Sequence, residues 1–286
     1  GRRWFKLDNR VHEQYVWSLD QRHVPASDYY IATAIETAMY LRNYQVPNAN
    51  KLYLIQGFEN WSYSDETVIA TYHYGFKNIV IANWLKDIVE NSGATCTLIR
   101  NGFDFNYFHQ TINYKEKDKF CISMMYHLSI LKGCKYGFEA LNIVKKRYPE
   151  LKAYIFGVPP APKLPHWMTY YKQPDRQTLN KIYNTAAIYL GPSLTEGWGL
   201  TVGEAMICGA AVVCTDNKGY KEMAKDHLTA LISPTKNAES LANNIIYLIE
   251  HDNERLKIAQ QGHQFIQQFT WEIAYKKFTE LLDIHR

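Results

Sequence analysis

The chain has 286 residues, which is long enough for two domains of ordinary size, each with its own core. Apolar residues make up 47% and charged residues 21%, a composition typical of a soluble globular protein and not of a disordered one. The net charge of +4 is mild, and the sequence shows no DNA- or RNA-binding module. We therefore expect no nucleic-acid partner.

Cysteine usage and hydropathy predict the cellular location of the chain. Its five cysteines show neither metal-ligand spacing nor a disulfide pattern, which favours free thiols in a reducing cytoplasm. Uninterrupted apolar runs are all shorter than a membrane span requires. We expect a cytoplasmic protein, and the small positive charge allows peripheral contact with the inner face of an anionic membrane.

Short apolar runs rich in β-branched and aromatic residues alternate with longer helical patterns. Before residue 100, the patterns predict strands at 29–32, 51–55, 78–82 and 95–99, and helices at 33–44 and 84–91. After residue 115, they predict strands at 120–125 and 151–156, helices at 137–147 and 237–251, and further apolar runs at 183–190, 210–215 and 230–232. This alternation predicts an α/β protein with parallel sheets and right-handed crossovers.

A boundary between two α/β halves is visible near residues 105–118. Asn101-Gly102 is a turn dipeptide, and residues 113–119 form a polar, charged stretch between two apolar patterns. Residues 157–165 contain four prolines and are expected to form an irregular loop.

The most informative stretch is residues 191–213, GPSLTEGWGLTVGEAMICGAAVV. An apolar strand at 187–190 leads into a glycine-containing loop, and a helix is predicted to begin near Leu200. A helix start preceded by glycines offers N–H groups and a positive dipole end, which suits a diphosphate. Glu196 and Glu204 flank this turn, and carboxylates accept hydrogen bonds from hydroxyl groups. The pattern therefore predicts a ligand with sugar hydroxyls on both sides of its phosphates, such as a nucleoside diphosphate sugar.

These residues resemble the family-4 glycosyltransferases of GT-B fold, whose hallmark is two glutamates separated by seven residues, here Glu196 and Glu204. Other matching segments are Asn101-Gly102-Phe103-Asp104, Lys132-Gly133, Phe156-Gly157, residues 179–186 and Thr270-Trp271. The resemblance implies two Rossmann-like domains with parallel sheets. It gives an acceptor-side domain at 1–110, a nucleotide-sugar-binding domain at 111–268, and a C-terminal helix at 269–286 that returns to the first domain.

Roles follow from the resemblance by position. It implies two catalytic residues, namely Glu196, which binds the hydroxyls of the donor sugar, and Lys132, which neutralises the departing diphosphate. It also implies that Glu204 holds the ribose. Further donor-binding residues are Gly133, Gly197, Trp198, Gly199, Leu200, Thr201, and, near the base, Tyr171 and Tyr183. The family commonly has an arginine six residues before Lys132, where this chain has Tyr126. Diphosphate binding then rests on Lys132 alone or on a basic residue from elsewhere.

Residues 56–61 and 83–85 resemble the bacterial rhamnosyltransferase subgroup, which makes a dTDP-rhamnose donor plausible and leaves UDP- and GDP-sugars open. On the acceptor side, we expect Thr33, Glu59 and Trp61 to contribute. Family members usually begin with several additional strand–helix units, so the resemblance implies that the first domain is incomplete. On this interpretation the sequence is a fragment, or a partner chain supplies the missing units, or the protein is a natural remnant.

The expected function is retaining, metal-independent transfer of a hexose from a nucleoside diphosphate sugar to a glycan or lipid-linked acceptor, in assembly of a bacterial surface polysaccharide. No Asp-x-Asp sequence is present, so we expect no metal and no cofactor. One alternative is a non-catalytic or partner-dependent nucleotide-sugar-binding module. A less favoured one is an NAD-dependent oxidoreductase, since the glycines at 197, 199 and 203 imitate a dinucleotide fingerprint.

Overall fold

The computed structural model describes residues 7–283, so the outermost ends of the first and last predicted domains lie outside the described residues. The chain divides into two compact units. The first unit comprises the described residues up to Asn101 together with the stretch from Glu272 onward, and the second unit comprises Gly102–Trp271. The limits expected from the sequence are 110 and 268.

The first unit contains a parallel sheet in the order β1-β2-β3-β4, with helices on its sides. The strands are β1 (Tyr30–Ala32), β2 (Lys51–Ile55), β3 (Lys77–Val80) and β4 (Thr97–Leu98). The helices are α1 (Ile35–Arg42), α2 (Asp65–Tyr72) and α3 (Asn83–Asn91). The sequence patterns predicted all of these elements except α2.

The second unit contains a six-stranded parallel sheet in the order β10-β9-β8-β5-β6-β7. Its strands are β5 (Cys121–Met125), β6 (Lys152–Gly157), β7 (Met168–Lys172), β8 (Ile188–Gly191), β9 (Ala211–Thr215) and β10 (Ala230–Ser233). Its helices are α4 (Cys134–Arg147), α5 (Arg176–Thr185), α6 (Leu200–Ile207), α7 (Ala238–Glu250) and α8 (Asp252–Ile266). The α/β fold with two parallel sheets is confirmed.

The core of the second unit lies where α4 and α7 cover the sheet. Alternate residues of the strands point into it, because successive side chains of a strand face opposite sides of the sheet. Fully buried members include Ile122, Ile155, Val213, Leu141 and Ile245. This packing holds the carboxyl ends of the six strands in a fixed row, and the loops that follow those ends carry most of the predicted donor-site residues.

One boundary expected from the sequence is wrong. Residues 183–190 read as a single apolar run, but 183–185 form the last turn of α5, and β8 begins only at Ile188. Asp175 caps α5 by accepting a hydrogen bond from the Thr178 N–H at 2.7 Å. Tyr183 therefore belongs to α5, which runs from Arg176 to Thr185, and it is one of the buried residues of that helix.

The C-terminal helix, α9 (Trp271–Leu281), belongs to the first unit from Glu272 onward. Ala274 and Leu282 join the small apolar core formed by Leu52, Ile79 and Ile99. Lys77 Nζ also donates a hydrogen bond to the Leu281 carbonyl at 2.9 Å. These contacts tie the end of the chain to the β2–β3 region of the first unit.

Candidate functional site

The sheet of the second unit reverses its strand order between β5 and β8. From β5 the chain moves outward through β6 and β7, and it then returns to place β8 on the other side of β5. Ligands of open α/β sheets bind beyond the carboxyl ends of the strands at such a switch point, because the loops on either side diverge and leave a crevice. Lys132 follows β5 and Glu196 follows β8, so both lie at this point.

The loops after β5 and β8 are joined through their backbones. The Leu194 N–H donates to the Leu131 carbonyl at 2.7 Å. Gly133 has a φ of +59°, and a Cβ atom there would stand 2.0 Å from the Pro192 oxygen. Only glycine combines this left-handed conformation with so close an approach. The two loops are therefore held against each other before any side chain is considered.

Lys132 and Glu196 meet where these loops touch. Lys132 Nζ lies 2.8 Å from Glu196 Oε1, and the two side chains are 28% and 11% exposed. Ser193 Oγ donates a second hydrogen bond to the same carboxylate oxygen, also at 2.8 Å. The structure thus brings together the two residues that the sequence predicted as catalytic.

A second layer of contacts fixes the loop that carries Glu196. Asn217 Nδ2 donates to the Ser193 carbonyl at 3.1 Å, and the Thr215 hydroxyl donates to the same carbonyl. A Cβ atom at Gly219 would stand 2.4 Å from the Glu196 carbonyl oxygen, so the backbone packs closely there. Sequence reasoning missed Ser193, Thr215 and Asn217, although Thr215 ends a strand that it predicted and Ser193 lies just after another.

The helix start that the sequence predicted lies directly after Glu196. Gly199 is left-handed with a φ of +97°, and its Cα packs on the Tyr220 ring, where a Cβ would stand 2.5 Å from Cδ1. α6 begins at the next residue, so its first N–H groups point toward the switch point. Trp198 is 3% exposed and packs edge-to-face on Phe269, which leaves its backbone rather than its ring for a ligand.

A cavity of about 440 Å³ opens within the second unit beside α6. Its walls come from the carboxyl ends of β5 and β6, the segment after β7, and the first turns of α5 and α6. Its lining residues are Gly102, Phe103, Asp104, Phe108, Met125, Tyr126, His127, Phe156, Gly157, Val158, Gln173, Pro174, Arg176, Leu179, Leu200, Thr201, Glu204 and Trp271. The lining is largely apolar, with a few converging polar groups, as is usual for small-molecule sites.

Glu204 is the acidic group that α6 contributes to this cavity. The Tyr183 hydroxyl donates to Glu204 Oε2 at 2.8 Å. Burial nevertheless raises the pKa of Glu204 to about 7, and the Tyr183 hydrogen bond and Arg176 oppose this shift. Tyr183 itself is fully buried, so its ring is not available to stack on a base, contrary to its predicted place. It acts on a ligand only through Glu204.

The raised pKa of Glu204 predicts a pH-dependent affinity for nucleotide. A carboxylate can accept hydrogen bonds from ligand hydroxyls through both oxygens, whereas the acid form has one oxygen committed as a donor. With a pKa of about 7, the charged fraction rises about tenfold from pH 6 to pH 8, and affinity should rise with it. Calorimetric titration of nucleoside diphosphate at both pH values tests this. The Glu204→Gln variant corrects for titration of the ligand's own phosphate, and an equal slope in both proteins would contradict the prediction.

Other base-side residues differ from the sequence expectation. Tyr171 lies on β7, packs edge-to-face on Tyr154 and does not line the cavity. Arg176, which the sequence analysis did not single out, does line it, with Nη1 3.6 Å from Asp104 Oδ2 and its guanidinium over the Tyr107 ring. Arg176 is the first residue of α5 and follows the capping residue Asp175. An Asp before a helical pattern can indicate where a helix begins, but it does not indicate that the Arg176 side chain faces the cavity.

Tyr126 occupies the place where the family commonly has an arginine. It lines the cavity, and its ring lies edge-to-face to Tyr170 at 6.1 Å. Its backbone N–H donates to the Phe156 carbonyl at 2.7 Å, which joins the ends of β5 and β6. Among the described lining residues, the basic side chains are therefore Arg176 and His127.

The three predicted acceptor-side residues lie in the first unit, beyond β1 and β2. Glu59 Oε2 accepts a hydrogen bond from the Ile35 N–H at 2.7 Å, so it caps the start of α1, and burial raises its pKa. Thr33 is exposed, and its N–H donates to Thr37 Oγ1 at 2.9 Å. Trp61 is 64% exposed. Glu59 thus has a structural contact of its own, and the acceptor role of all three stays a prediction.

Two whole-chain expectations concern metal ions and membranes. Within residues 7–283, no three His, Cys, Asp or Glu side chains are grouped so that they could hold a metal ion. In the same part of the chain, every helix is too short or too polar to cross a membrane.

The sequence of the second unit matches a known protein family. Residues 107–265, more than half of the chain, match the family model described as "Glycosyl transferases group 1". The chain belongs to this family. The matched region includes Lys132, Glu196 and Glu204. The NAD-oxidoreductase alternative loses its basis, because a dinucleotide fingerprint needs a tight turn from strand to helix, whereas β8 ends at Gly191 and α6 begins only at Leu200.

Curated relatives are similar over part of their length. A Campylobacter jejuni N,N'-diacetylbacillosaminyl-diphospho-undecaprenol alpha-1,3-N-acetylgalactosaminyltransferase is 31% identical over 108 residues, 38% of this chain and 29% of the relative. A Mycobacterium tuberculosis phosphatidyl-myo-inositol mannosyltransferase is 24% identical over 201 residues, 65% of this chain and 53% of the relative. The chain therefore spans about half or less of the length of these two relatives.

Solved structures share the fold at low identity. Sucrose-phosphate synthase from Thermosynechococcus elongatus matches with a TM-score of 0.73 at 18% identity, covering 88% of this chain and 72% of that one. HepE from Anabaena, in complex with UDP-glucose, matches with a TM-score of 0.74 at 15% identity, covering 90% and 79%. These likenesses establish the GT-B class of α/β fold.

Proposed function

We propose that the chain acts as a glycosyltransferase that moves a hexose from a nucleoside diphosphate sugar to an acceptor hydroxyl. The observation that carries the proposal is that Lys132 and Glu196 meet at the switch point, where the loop that carries Glu196 leads into α6, and Glu204 of α6 lines the cavity. A cation and a helix start suit a diphosphate, and a carboxylate on either side of them suits the two hydroxyl-bearing sugars that the diphosphate joins.

We assign each part of the donor to the residues whose side chains or backbone groups suit its chemistry. Apolar side chains such as Phe156, Val158 and Leu179 line the part of the cavity suited to a base. Glu204 receives the ribose hydroxyls, the α6 start and Lys132 receive the diphosphate, and Glu196 receives the hydroxyls of the transferred hexose. HepE, which shares the fold, was solved with UDP-glucose, and this supports a donor of that class.

We assign a retaining, metal-independent course to the reaction. The bond between the sugar and the diphosphate breaks, and a bond to the acceptor oxygen forms on the same face. The acceptor proton passes to the departing phosphate, so no separate nucleophile is required. Lys132 stabilises the charge that grows on the leaving group, which is commonly the largest catalytic contribution. The lack of an Asp-x-Asp sequence supports a diphosphate held without metal.

The acceptor is proposed to be a glycan or a lipid-linked sugar of a bacterial surface polysaccharide. The names of the Campylobacter and Mycobacterium relatives refer to a diphospho-undecaprenol-linked sugar and to phosphatidyl-myo-inositol, both lipid-linked. Peripheral contact with a membrane is part of the same proposal. A dTDP-rhamnose donor rests on residues 56–61 and 83–85 alone.

A partner-dependent nucleotide-sugar-binding module is the second candidate. Binding without turnover by the purified chain, with turnover restored by a second polypeptide, would distinguish this candidate from the first.

Calorimetric titration of the purified chain with dTDP, UDP, GDP, ADP and NAD, with and without Mg²⁺, tests the donor site. We expect one diphosphate to bind without Mg²⁺ and NAD to give no heat. Glu204→Ala should weaken that binding about tenfold, because it removes a buried acceptor for two charge-assisted hydrogen bonds. Glu239→Ala, exposed in the first turn of α7 and away from the cavity lining, is the matched control. Binding of NAD alone, or silence toward all five ligands, would overturn the proposed function.

A further inference from the structure

The contact between Lys132 and Glu196 has a consequence for the ligands that this site retains. Under the proposed function, Lys132 is the cation that faces the diphosphate. Its ammonium group lies 2.8 Å from a carboxylate that is only 11% exposed, so the positive charge is already largely neutralised. A diphosphate must therefore compete with Glu196 for Lys132.

The backbone brings the two side chains within reach of each other. The Leu194–Leu131 hydrogen bond and the close approach of Gly133 to Pro192 fix the distance between the two loops. Ser193 Oγ then orients Glu196 by donating to Oε1. The competition with a diphosphate therefore follows from the way the two loops are joined.

The two oxygens of Glu196 have different surroundings. Oε1 accepts both hydrogen bonds, from Lys132 and from Ser193, whereas Oε2 accepts none from the described residues. A carboxylate oxygen can accept two hydrogen bonds, so Oε2 retains capacity for sugar hydroxyls. An intact donor can satisfy Glu196 through its hexose, but a free nucleoside diphosphate has no hexose and meets only the repulsion of the carboxylate.

We propose that Glu196 distinguishes the intact donor from the nucleoside diphosphate product. It pairs with Lys132 and thereby lowers the affinity of the site for free nucleoside diphosphate, and the hydroxyls of a bound donor sugar relieve that penalty. The inference rests on the proposed function and adds to it a device for product release. It concerns the residues of the second unit alone.

A double-mutant cycle measured by calorimetry tests this inference. The proteins are the wild type, Glu196→Gln, Lys132→Met and the double variant, each titrated with dTDP, UDP, GDP, ADP and inorganic pyrophosphate. We expect Glu196→Gln to bind the preferred diphosphate about fivefold more tightly than the wild type, at the upper end for a partly exposed ion pair. In the Lys132→Met background, the same substitution should change the affinity less than about twofold, because the competitor is gone.

Glu204→Gln is the matched control, since Glu204 is the second carboxylate of the site but pairs with the Tyr183 hydroxyl and not with a lysine. It should not tighten diphosphate binding. Glu196→Ala repeats the measurement with a different side chain in case the glutamine variant does not fold.

The possible outcomes separate this inference from the proposed function. If the wild type binds a diphosphate and neither Glu196 variant binds it more tightly, the inference is wrong while the proposed function stands. If Glu196→Gln tightens binding equally in the wild-type and the Lys132→Met backgrounds, simple charge repulsion explains the gain and the pairing does not. If all proteins are silent toward all five probes, the proposed function fails and this inference fails with it.

Discussion

Replacing Lys132 with methionine is expected to lower the rate of sugar transfer by about 10²–10³, the usual cost of removing one donor that stabilises a developing anion. Methionine nearly keeps the length of the side chain and removes its charge. The departing diphosphate then loses the one lysine that the loop after β5 holds at the switch point, and the partly buried Glu196 carboxylate is left uncompensated. Single-turnover assays with the donor identified by calorimetry measure the effect on the chemical step.

The matched control is Lys135→Met. Lys135 lies one turn further along the same segment, in α4, and its side chain is 77% exposed beside Glu139. This variant should transfer sugar at the wild-type rate within about twofold, because an exposed i,i+4 pair contributes little. If the Lys132→Met enzyme retains activity within about threefold of this control, Lys132 does not stabilise the departing diphosphate.

The sequence predicted residues that the structure brings together at the switch point, but it did not predict the side chains that support them, and the reason is physical. Lys132, Glu196, Glu204 and the glycine-rich helix start belong to two short segments, so their spacing could be read directly. The structure then brings those segments together by pairing β5 with β8, residues that are about 65 positions apart. That pairing follows from the strand order, which local periodicity does not encode.

Sequence reasoning misjudged residues whose role depends on the direction in which the side chain points. Tyr183 lies in the predicted motif, yet its ring is buried among Phe108, Phe156 and Tyr189, and only its hydroxyl reaches Glu204. A 3.6-residue period places a side chain on a helix face but does not say what covers that face. The missed strand β7 has a similar cause. It follows the four-proline loop and lies at the edge of its sheet, so its pattern, MTYYK, is short and only partly buried.

The backbone at Gly133 should be the most sensitive single position of the donor half. Gly133→Ala is expected to lower the free energy of unfolding by about 2–4 kcal/mol, since alanine is strained at a φ of +59° and its Cβ would stand 2.0 Å from a backbone oxygen that cannot move aside cheaply. The shift that relieves this contact must separate the loops after β5 and β8. In the protein that still folds, Lys132 should move away from the start of α6, so the two parts of the diphosphate site separate and diphosphate binding should weaken.

Gly93→Ala separates the two causes of that loss. Gly93 also has a positive φ, +87°, but a Cβ there would have no atom within 4 Å. It should therefore show the backbone strain alone, about 1–2 kcal/mol. Urea unfolding of both variants, followed by tryptophan fluorescence and by circular dichroism, gives the two free energies. Equal losses would mean that the approach of Gly133 to Pro192 stores no additional stability. The two loops would then be held by the Leu194–Leu131 hydrogen bond and the ion pair, and diphosphate binding should survive Gly133→Ala.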